Sequence, residues 1–371
     1  MRCLPAVSDN RRGGWACRWA ARSIAAVCLW ASAASPSEGP SLDPLDRHAL
    51  TMAHPERGVL LSVVSVGRRL VAAGAAGVII ISDDFGNTWT QVPTPVSVTL
   101  TSVVFADERV GWAVGHSGVI LGTRDSGATW TRQCDGRGII AALKSRLDSP
   151  ERSASAEGDA LETLRQLVDD GPDKVLLSAF SVDANTAMAI GSYGLVMLTR
   201  DGGAHWEPRL DIAAADKGKH LYAVRTLGDK LFFAGEGGGL FWSEGLDAPL
   251  HPMASPYAGT FFGLVTTAQG GLIAFGLRGH AVASPDGGRR WTPLETGAAD
   301  SINAGLRLSD GRIVLATGSG DIFLSEDGVK PFRAVTTSAP SPYTDLAEIP
   351  HGVVAVGFRG AVHIALPDPR P

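Results

Sequence analysis

Short apolar segments recur in pairs along most of the chain. A short loop that contains glycine, which we call a glycine step, joins the two segments of each pair. Residues 70–73 and 78–81 flank one such step, and residues 111–114 and 119–121 flank another. Two apolar segments joined by a short loop with glycine predict a β-hairpin, because glycine adopts the positive φ of tight turns. Another apolar stretch precedes each hairpin and a further segment follows it. The pattern therefore predicts four strands in each repeat.

The glycine steps recur at a nearly constant interval. Five of the six intervals lie between 39 and 44 residues, and the sixth is about 35 residues longer. Four strands in each of seven such repeats predict an all-β fold, a seven-bladed β-propeller of four-stranded antiparallel blades. We assign residues 50–366 to it. The steps begin at Gly74, Gly115, Gly191, Gly235, Gly276, Gly318 and Gly357, and in the sixth Asp321 replaces the second glycine.

The long interval predicts one helical insertion, residues 139–174, between blades two and three. Residues 139–147 form one candidate helix, and the apolar residues of a second, 160–168, follow helical spacing. A helical hairpin here would cover part of the channel mouth as a lid or docking arm. The alternative is that it packs on the rim and only adds surface.

A second motif follows most hairpins. Its members are a hydroxyl residue, an aspartate two positions later, a glycine and then a tryptophan, as in the Asp-box (BNR-type) turn. Serine and aspartate side chains bond the backbone of such turns, so we expect these aspartates to be structural rather than catalytic. The aspartate turns, as we call them, span residues 82–89, 123–130, 199–206 and 284–291.

The last blade is shorter than the others. After the step at Gly357 the chain supplies only one more apolar segment, at 361–365, before it ends. An uncovered third strand would leave an exposed sheet edge. We therefore expect residues 50–54, which precede blade one, to supply the missing outer strand.

Connections between strands alternate between the two faces of a propeller. The glycine steps join strands two and three, so they share one face with the blade-to-blade connections and ring one end of the central channel. This is the usual binding site of a propeller. An ordinary exposed turn is the alternative at each position. The partner-binding candidates are His116, Tyr193, Glu236, Arg278, Phe358 and Arg359.

The first 34 residues have the features of a secretory signal peptide rather than of a folded domain. Several arginines precede an apolar run at 24–30, which small residues follow at 31–34. We expect export to the periplasm, with or without membrane association, and a linker at 35–49. An uncleaved anchor is the alternative. Cleavage would leave one cysteine, Cys134, so no intrachain disulfide is expected.

Composition argues against several kinds of ligand. The net charge of −5 does not suit nucleic-acid binding, which needs a basic field. Neither paired histidines at metal-ligand spacing nor a Cys-x-x-Cys motif occurs in the sequence. We expect no metal, no small-molecule cofactor and a monomeric chain.

Together, the repeats and aspartate turns resemble the photosystem II stability/assembly factor family, specifically its exported bacterial branch. That resemblance implies a non-catalytic helper that binds a newly inserted membrane protein through an arginine-bearing patch. The matching positions are Arg278 and Arg359, whereas Glu236 occupies the equivalent position in blade four. The motifs that carry the resemblance are the aspartate turns and residues 111–116, 189–194, 261–263 and 274–280.

We therefore expect a periplasmic scaffold that assembles or stabilises a membrane protein complex. The alternative is a glycoside hydrolase of the sialidase type, because sialidases use the same repeat. Such an enzyme needs an arginine triad, a tyrosine nucleophile with an acidic partner and a separate acid/base carboxylate. The chain contains four tyrosines but lacks the Arg-Ile-Pro motif usual before the first blades. The sequence thus favours binding over catalysis.

Overall fold

Seven antiparallel sheets follow one another along the chain, each with its strands in sequence order. The computed structural model describes residues 43–148, 158–209, 218–337 and 340–369. Blade one contains β1 (Leu60–Val66), β2 (Arg69–Gly74), β3 (Ile79–Ser82) and β4 (Thr90–Val92). Blade two contains β5 (Leu100–Phe105), β6 (Gly111–Gly115), β7 (Ile120–Thr123) and β8 (Thr131–Cys134).

The next three blades repeat this plan. Blade three contains β9 (Leu176–Ser181), β10 (Ala187–Gly191), β11 (Val196–Thr199) and β12 (Glu207–Pro208). Blade four contains β13 (Leu221–Leu227), β14 (Lys230–Gly235), β15 (Leu240–Ser243) and β16 (His251–Pro252). Blade five contains β17 (Phe261–Thr266), β18 (Leu272–Gly276), β19 (Ala281–Ser284) and β20 (Thr292–Leu294).

The last two blades differ from each other in strand number. Blade six contains β21 (Ile302–Arg307), β22 (Ile313–Thr317), β23 (Ile322–Ser325) and β24 (Arg333–Val335). Blade seven contains β25 (Tyr343–Ile349), β26 (Gly352–Gly357) and β27 (Gly360–Ala365). The predicted seven-bladed antiparallel propeller is confirmed. Six blades have four strands, and blade seven has three within the described residues.

The prediction that residues 50–54 form the outer strand of blade seven is wrong. This segment forms no strand and lies along blade one, where the Gln91 side chain donates to the Leu50 carbonyl and accepts from the Met52 N–H, both at 2.9 Å. A 3-10 helix, Pro55–Arg57, follows and lies against β27. Pro55 begins that turn because its ring fixes φ and removes the N–H that a ladder would need.

The first strands of the blades form the closed inner ring, in which β1 lies beside β25. Side chains of blade seven join the two ends of the chain. Thr344 Oγ1 donates to the Leu60 carbonyl at 2.9 Å, and the Asp345 carboxylate accepts from Ser62 Oγ and from the Val63 N–H at 2.9 Å. These bonds replace the usual closure by an N-terminal strand in the last blade.

Bonds equivalent to the one between Asp345 and Val63 recur at other blade interfaces. Ser62 Oγ accepts from the Val103 N–H at 3.2 Å, and Ser102 Oγ accepts from the Ala179 N–H at 3.2 Å. Each bond therefore runs from the first strand of one blade to the first strand of the next. At the ring closure the acceptor is a carboxylate, which makes a stronger hydrogen bond than a hydroxyl.

The hydrophobic core lies between neighbouring blades rather than inside any one of them. At the ring closure, Val354 and Val356 of blade seven pack with Leu60 and Ile80 of blade one. Burying one such aliphatic side chain contributes about 1.5–3 kcal/mol. Because both faces of a blade are apolar, each blade needs two neighbours, and only a closed ring supplies them.

The glycine steps lie under the blade-to-blade connections. A Cβ added at Gly74 would be 2.1 Å from the Val59 carbonyl oxygen, which precedes β1. Gly77 has a φ of 75°, and its Cβ would lie 2.1 Å from the Val96 carbonyl, in the connection to blade two. Glycine is needed at both positions because a side chain would collide with backbone.

One step is offset from its expected position. In blade six the Gly318 N–H donates to the Ser301 carbonyl at 2.9 Å, the bond that Ala75 makes to Val59 at 3.0 Å in blade one. This step therefore runs from Thr317 to Gly320, rather than from Gly318 to Asp321. Gly320, with a φ of 93°, takes the role of the second glycine.

The aspartate turns form the hydrogen bonds predicted for them. In blade one, Ser82 Oγ donates to Asp84 Oδ1 at 2.8 Å and accepts from the Gly86 N–H at 2.7 Å. Thr88 donates to Asp84 through its N–H at 2.9 Å and its hydroxyl at 2.6 Å. The hydroxyl bond is the main cause that lowers the pKa of Asp84 to about 2. These aspartates are structural, as expected.

Two helices occupy the insertion: α1 (Gly136–Leu147) and α2 (Gly158–Asp169). Ile139 and Leu143 of α1 and Leu164 and Leu167 of α2 share one hydrophobic cluster with strands of blades two and three. Cys134, just before α1, packs against the same cluster, and burial raises its thiol pKa to about 11. The insertion therefore packs on the rim between two blades.

The expected signal peptide, residues 1–34, and most of the linker lie outside the described residues. In the part of the chain that the structure describes, every helix is too short or too polar to cross a membrane. The strands run from Leu60 to Ala365, so the propeller begins about ten residues later than the sequence predicted.

The hydroxyl of the aspartate turns should matter for stability. Thr123 is buried, and its Oγ1 accepts from the Gly127 N–H at 3.1 Å. Thr123→Val keeps the shape but leaves that N–H without its acceptor, so we expect a loss of about 1–3 kcal/mol in the free energy of unfolding. Urea denaturation measures it. The control Thr131→Val, at an exposed position of the same blade, should change stability by less than about 0.5 kcal/mol.

The Asp84 carboxylate gives a pH-dependent prediction. Its folded pKa of about 2 lies below the ordinary value of 3.8, so the ionised form stabilises the folded chain above the unfolded pKa. That stabilisation is lost as the pH falls from about 4 to about 2. The difference in unfolding free energy between wild type and Asp84→Asn should therefore be constant above about pH 5 and shrink below it. A difference that persists unchanged in acid would contradict this assignment.

Candidate functional site

The sequence candidates all lie on the face that carries the glycine steps. His116, Tyr193, Glu236 and Arg278 belong to 3-10 turns that follow the second strands of blades two to five. Phe358 and Arg359 form the turn between β26 and β27. All six are exposed, with Tyr193 at 44% and Phe358 at 58%. We call this surface the glycine-step face.

Two of these residues have backbone conformations that glycine would adopt more easily. Tyr193 and Arg278 each have a φ of 58°, whereas blade four has Gly237 at the equivalent position with a φ of 61°. A non-glycine residue in this region costs about 1–2 kcal/mol. The equivalent residues Ala76 and Ser117 have φ values of 55° and 52°, so this conformation belongs to the repeated step. Tyr193 and Arg278 are exposed there, so a partner can contact both side chains.

A histidine that the sequence did not single out connects two candidates. His220 Nδ1 lies 3.4 Å from the Tyr193 N–H and 3.5 Å from a Glu236 carboxylate oxygen. The rings of His220 and Tyr193 pack edge to face, with centroids 5.2 Å apart. Tyr193, His220 and Glu236 therefore form one cluster across blades three and four.

The end of the helical insertion reaches this cluster. Lys174 Nζ lies 5.3 Å from the centre of the Tyr193 ring and 3.5 Å from the Asp170 carboxylate. The Lys174 side chain is 2% exposed. Ser117 Oγ also donates to Asp173 at 3.0 Å. The insertion thus buttresses the steps of blades two and three.

Aromatic rings continue from the face into the channel. The His220 ring lies 6.3 Å from the Tyr222 ring, which packs edge to face on Phe262 at 5.5 Å. Tyr222 and Phe262 belong to the inner strands and line the channel. This row of rings, Tyr193–His220–Tyr222–Phe262, gives the glycine-step face an apolar path inward.

The channel itself is a cavity of about 590 Å³ lined by the inner strands, and it contains no residue of the insertion among those described. Arg225 and Asp345 line this cavity. Arg225 is accessible to channel water yet enclosed by protein, and this enclosure lowers its pKa, just as burial raises the pKa of Asp345.

A groove of similar size, about 560 Å³, lies on the opposite face beside blades six, seven and one. It is lined by Phe85, Glu348 and His351 and by the last described residues of the chain. Glu348 is already bonded there to the Ser309 hydroxyl at 2.6 Å. We place the candidate site on the glycine-step face instead, because the row of rings leads from that face into the channel.

The six candidates form one surface but not one contact cluster. Arg278 belongs to blade five and Arg359 to blade seven, so blade six separates the two arginines. The Arg278 N–H donates to Ser301 Oγ at 3.1 Å, which fixes its turn. Across the described residues, no group of three histidine, cysteine or acidic side chains is arranged to hold a metal ion.

Neither a protein-family model nor a curated protein matches the chain, but solved structures share its fold. One is YCF48 bound to D1 peptide, with a TM-score of 0.61 and 17% identity over 86% of this chain and 99% of that chain. Another is YCF48 from Cyanidioschyzon merolae, with a TM-score of 0.59 and 15% identity over 86% of this chain and 98% of that chain.

A propeller with a different name is also similar. The WD40 β-propeller domain of Doa1 has a TM-score of 0.57 and 12% identity, over 88% of this chain and 97% of that chain. At these identities the similarity shows the fold alone. The chain is thus similar in fold to YCF48, a photosystem II stability/assembly factor, and to a WD40 propeller.

Proposed function

We propose that this protein is an exported, non-catalytic scaffold that binds a subunit of a membrane protein complex and assists its assembly or stability. The glycine-step face carries the proposal, because it combines exposed tyrosine and arginine side chains with a row of rings that continues into the channel. Such a surface binds an extended segment by its apolar residues and leaves the arginines free to pair with acidic groups.

The fold comparison supports the same choice. The YCF48 structure that the chain resembles was solved with a D1 peptide bound. Similarity of fold does not transfer a ligand, so the proposal depends on the face itself. Arg278 and Arg359, the positions that the family resemblance indicates, are both exposed there.

Channel chemistry supports binding over glycoside hydrolysis. Among the described residues that line the channel, Arg225 is the one arginine, whereas a sialidase holds its substrate carboxylate with three. Tyr222 is the one tyrosine in that lining, and burial together with the Glu236 charge raises its pKa. A raised pKa disfavours the phenolate that a nucleophile needs.

The export part of the proposal comes from the sequence. Arginines, an apolar run and small residues in the first 34 positions have the order of a secretory signal. Removal of residues 1–33 takes away five arginines and one aspartate, which leaves a net charge near −9. Arg278 and Arg359 add two exposed positive charges to the glycine-step face of this acidic chain, and an acidic partner segment can pair with them.

The face should be tested by charge reversal on the full chain. Arg278→Glu/Arg359→Glu is expected to abolish co-purification of a membrane protein after cross-linking in cells, because reversed charges repel an acidic segment. Mass spectrometry of the purified membrane fraction identifies the partner. The control Arg68→Glu/Arg289→Glu changes the charge equally at two exposed arginines on the aspartate-turn face and should retain the partner.

Two results would contradict this function. Wild-type protein that recovers no membrane protein, or equal recovery by the two double variants, would exclude a role for the glycine-step face. Hydrolysis of a fluorogenic sialoside or a xyloglucan panel, abolished by Tyr222→Phe, would establish the glycoside hydrolase instead. We expect no turnover above the uncatalysed rate.

A further inference from the structure

The outer edge of β27 is an unusual feature of this ring. In each of the other blades a fourth strand pairs with the third, as β4 pairs with β3 in blade one. In blade seven β27 pairs with β26, and no described strand covers its other edge. Such an edge presents a row of N–H and C=O groups that can pair with another extended segment.

A tryptophan shows that something is missing beside this edge. Trp130, Trp206 and Trp291 are 5%, 8% and 6% exposed. Each shares a hydrophobic cluster with an apolar residue on, or next to, the outer strand of the preceding blade; these residues are Val92, Cys134 and Met253. Trp89, whose preceding blade is blade seven, has no such strand beside it in the described part of the chain and is only half-buried. Among the described residues, the site therefore lacks the apolar side chain that the other three tryptophans contact.

Direction and charge define what could occupy the edge. A strand antiparallel to β27 would run from the aspartate-turn face to the glycine-step face and end near Gly360. Two exposed arginines lie at that end: Arg57, which is 75% exposed, and Arg359. Arg57 lies directly beside the start of β27, because a Cβ added at Gly360 would be 2.8 Å from the Arg57 Cα. An acidic C-terminal end suits these charges.

We propose that the open edge of β27 binds an extended segment of the partner as the fourth strand of blade seven. Its apolar side chain packs on Trp89, and acidic groups at its C-terminal end pair with Arg57 and Arg359. The segment then leaves the edge on the glycine-step face. That this segment comes from a membrane protein rests on the proposed function. That it is extended, apolar and acidic at its C-terminal end rests on the edge of β27.

Neither the described residues of the chain nor a second copy fits as well. Asp43, the first described residue, is bonded to Arg137 of α1 beside blade two, at 2.5 Å, and not to blade seven. A second copy would pair β27 with β27, whose Val362 and Ile364 are already packed in their own core. That pairing would leave Trp89 with only the contacts of its own cluster, which includes Ala361.

The test uses hydrogen–deuterium exchange of the full chain with a synthetic peptide, TWTQVDD. This peptide copies residues 88–92, the outer strand of blade one, and adds two aspartates. The amides of β27 that do not bond to β26 should exchange freely in the protein alone and at least tenfold more slowly with saturating peptide. A control peptide with aspartate in place of its valine, TWTQDDD, should protect them far less, because it offers Trp89 a charge.

A protein variant tests the charged end. Arg57→Glu should weaken protection by TWTQVDD at least fivefold and leave protection by the uncharged amide TWTQV unchanged. Arg57 makes only a long contact of 3.5 Å to Glu56, so the variant should fold normally. If Arg57→Glu weakened protection by both peptides equally, the acidic end of the segment would not bind Arg57.

The remaining outcomes overturn the proposal. Protection without peptide at every protein concentration would mean that the chain covers its own edge. Protection that rises with protein concentration would mean that a second copy covers it. Exchange that stays fast with either peptide would show that the edge binds no strand. None of these results depends on recovery of a membrane partner, so failure here is distinct from failure of the proposed function.

Discussion

Closure of the ring keeps the apolar faces of all seven blades away from water. Each blade is apolar on both faces, so a blade at an open end would expose a core surface to water. Asp345 and Thr344 of blade seven make the closing bonds to blade one. The sheets thus hold each other through their faces and inner strands, and blade seven can lack an outer strand while the ring still closes.

The position of the candidate site follows from the same packing. Blade-to-blade connections cross directly above the glycine steps, where any side chain at Gly74 or Gly77 would collide with backbone. Only the residues between the two glycines of each step reach solvent, so Tyr193 and Arg278 lie on an otherwise tightly packed surface. Their backbone strain is tolerated because the surrounding steps are fixed by the ring.

The repeat could be predicted because it is local. Glycine steps and aspartate turns are short motifs whose hydrogen bonds join residues two to four positions apart, as between Ser82 and Asp84. Features that join distant residues could not be predicted. The bond from Asp345 to Val63 and the contact of His220 with Glu236 appear only when blades are placed side by side. Residues 50–54 were expected to form a strand because the edge of blade seven was uncovered, and no sequence signal indicates that Gln91 binds them instead.

In the proposed function, partners bind the glycine-step face and not the opposite one. Site-specific photo-cross-linking distinguishes the two faces, with the reactive amino acid placed singly at Tyr193, Arg278 or Phe358 and, for comparison, at Arg68 or Arg289. We expect one membrane protein to be cross-linked from the first three positions and from neither of the last two. Cross-links from the aspartate-turn face alone, or equally from both faces, would contradict it.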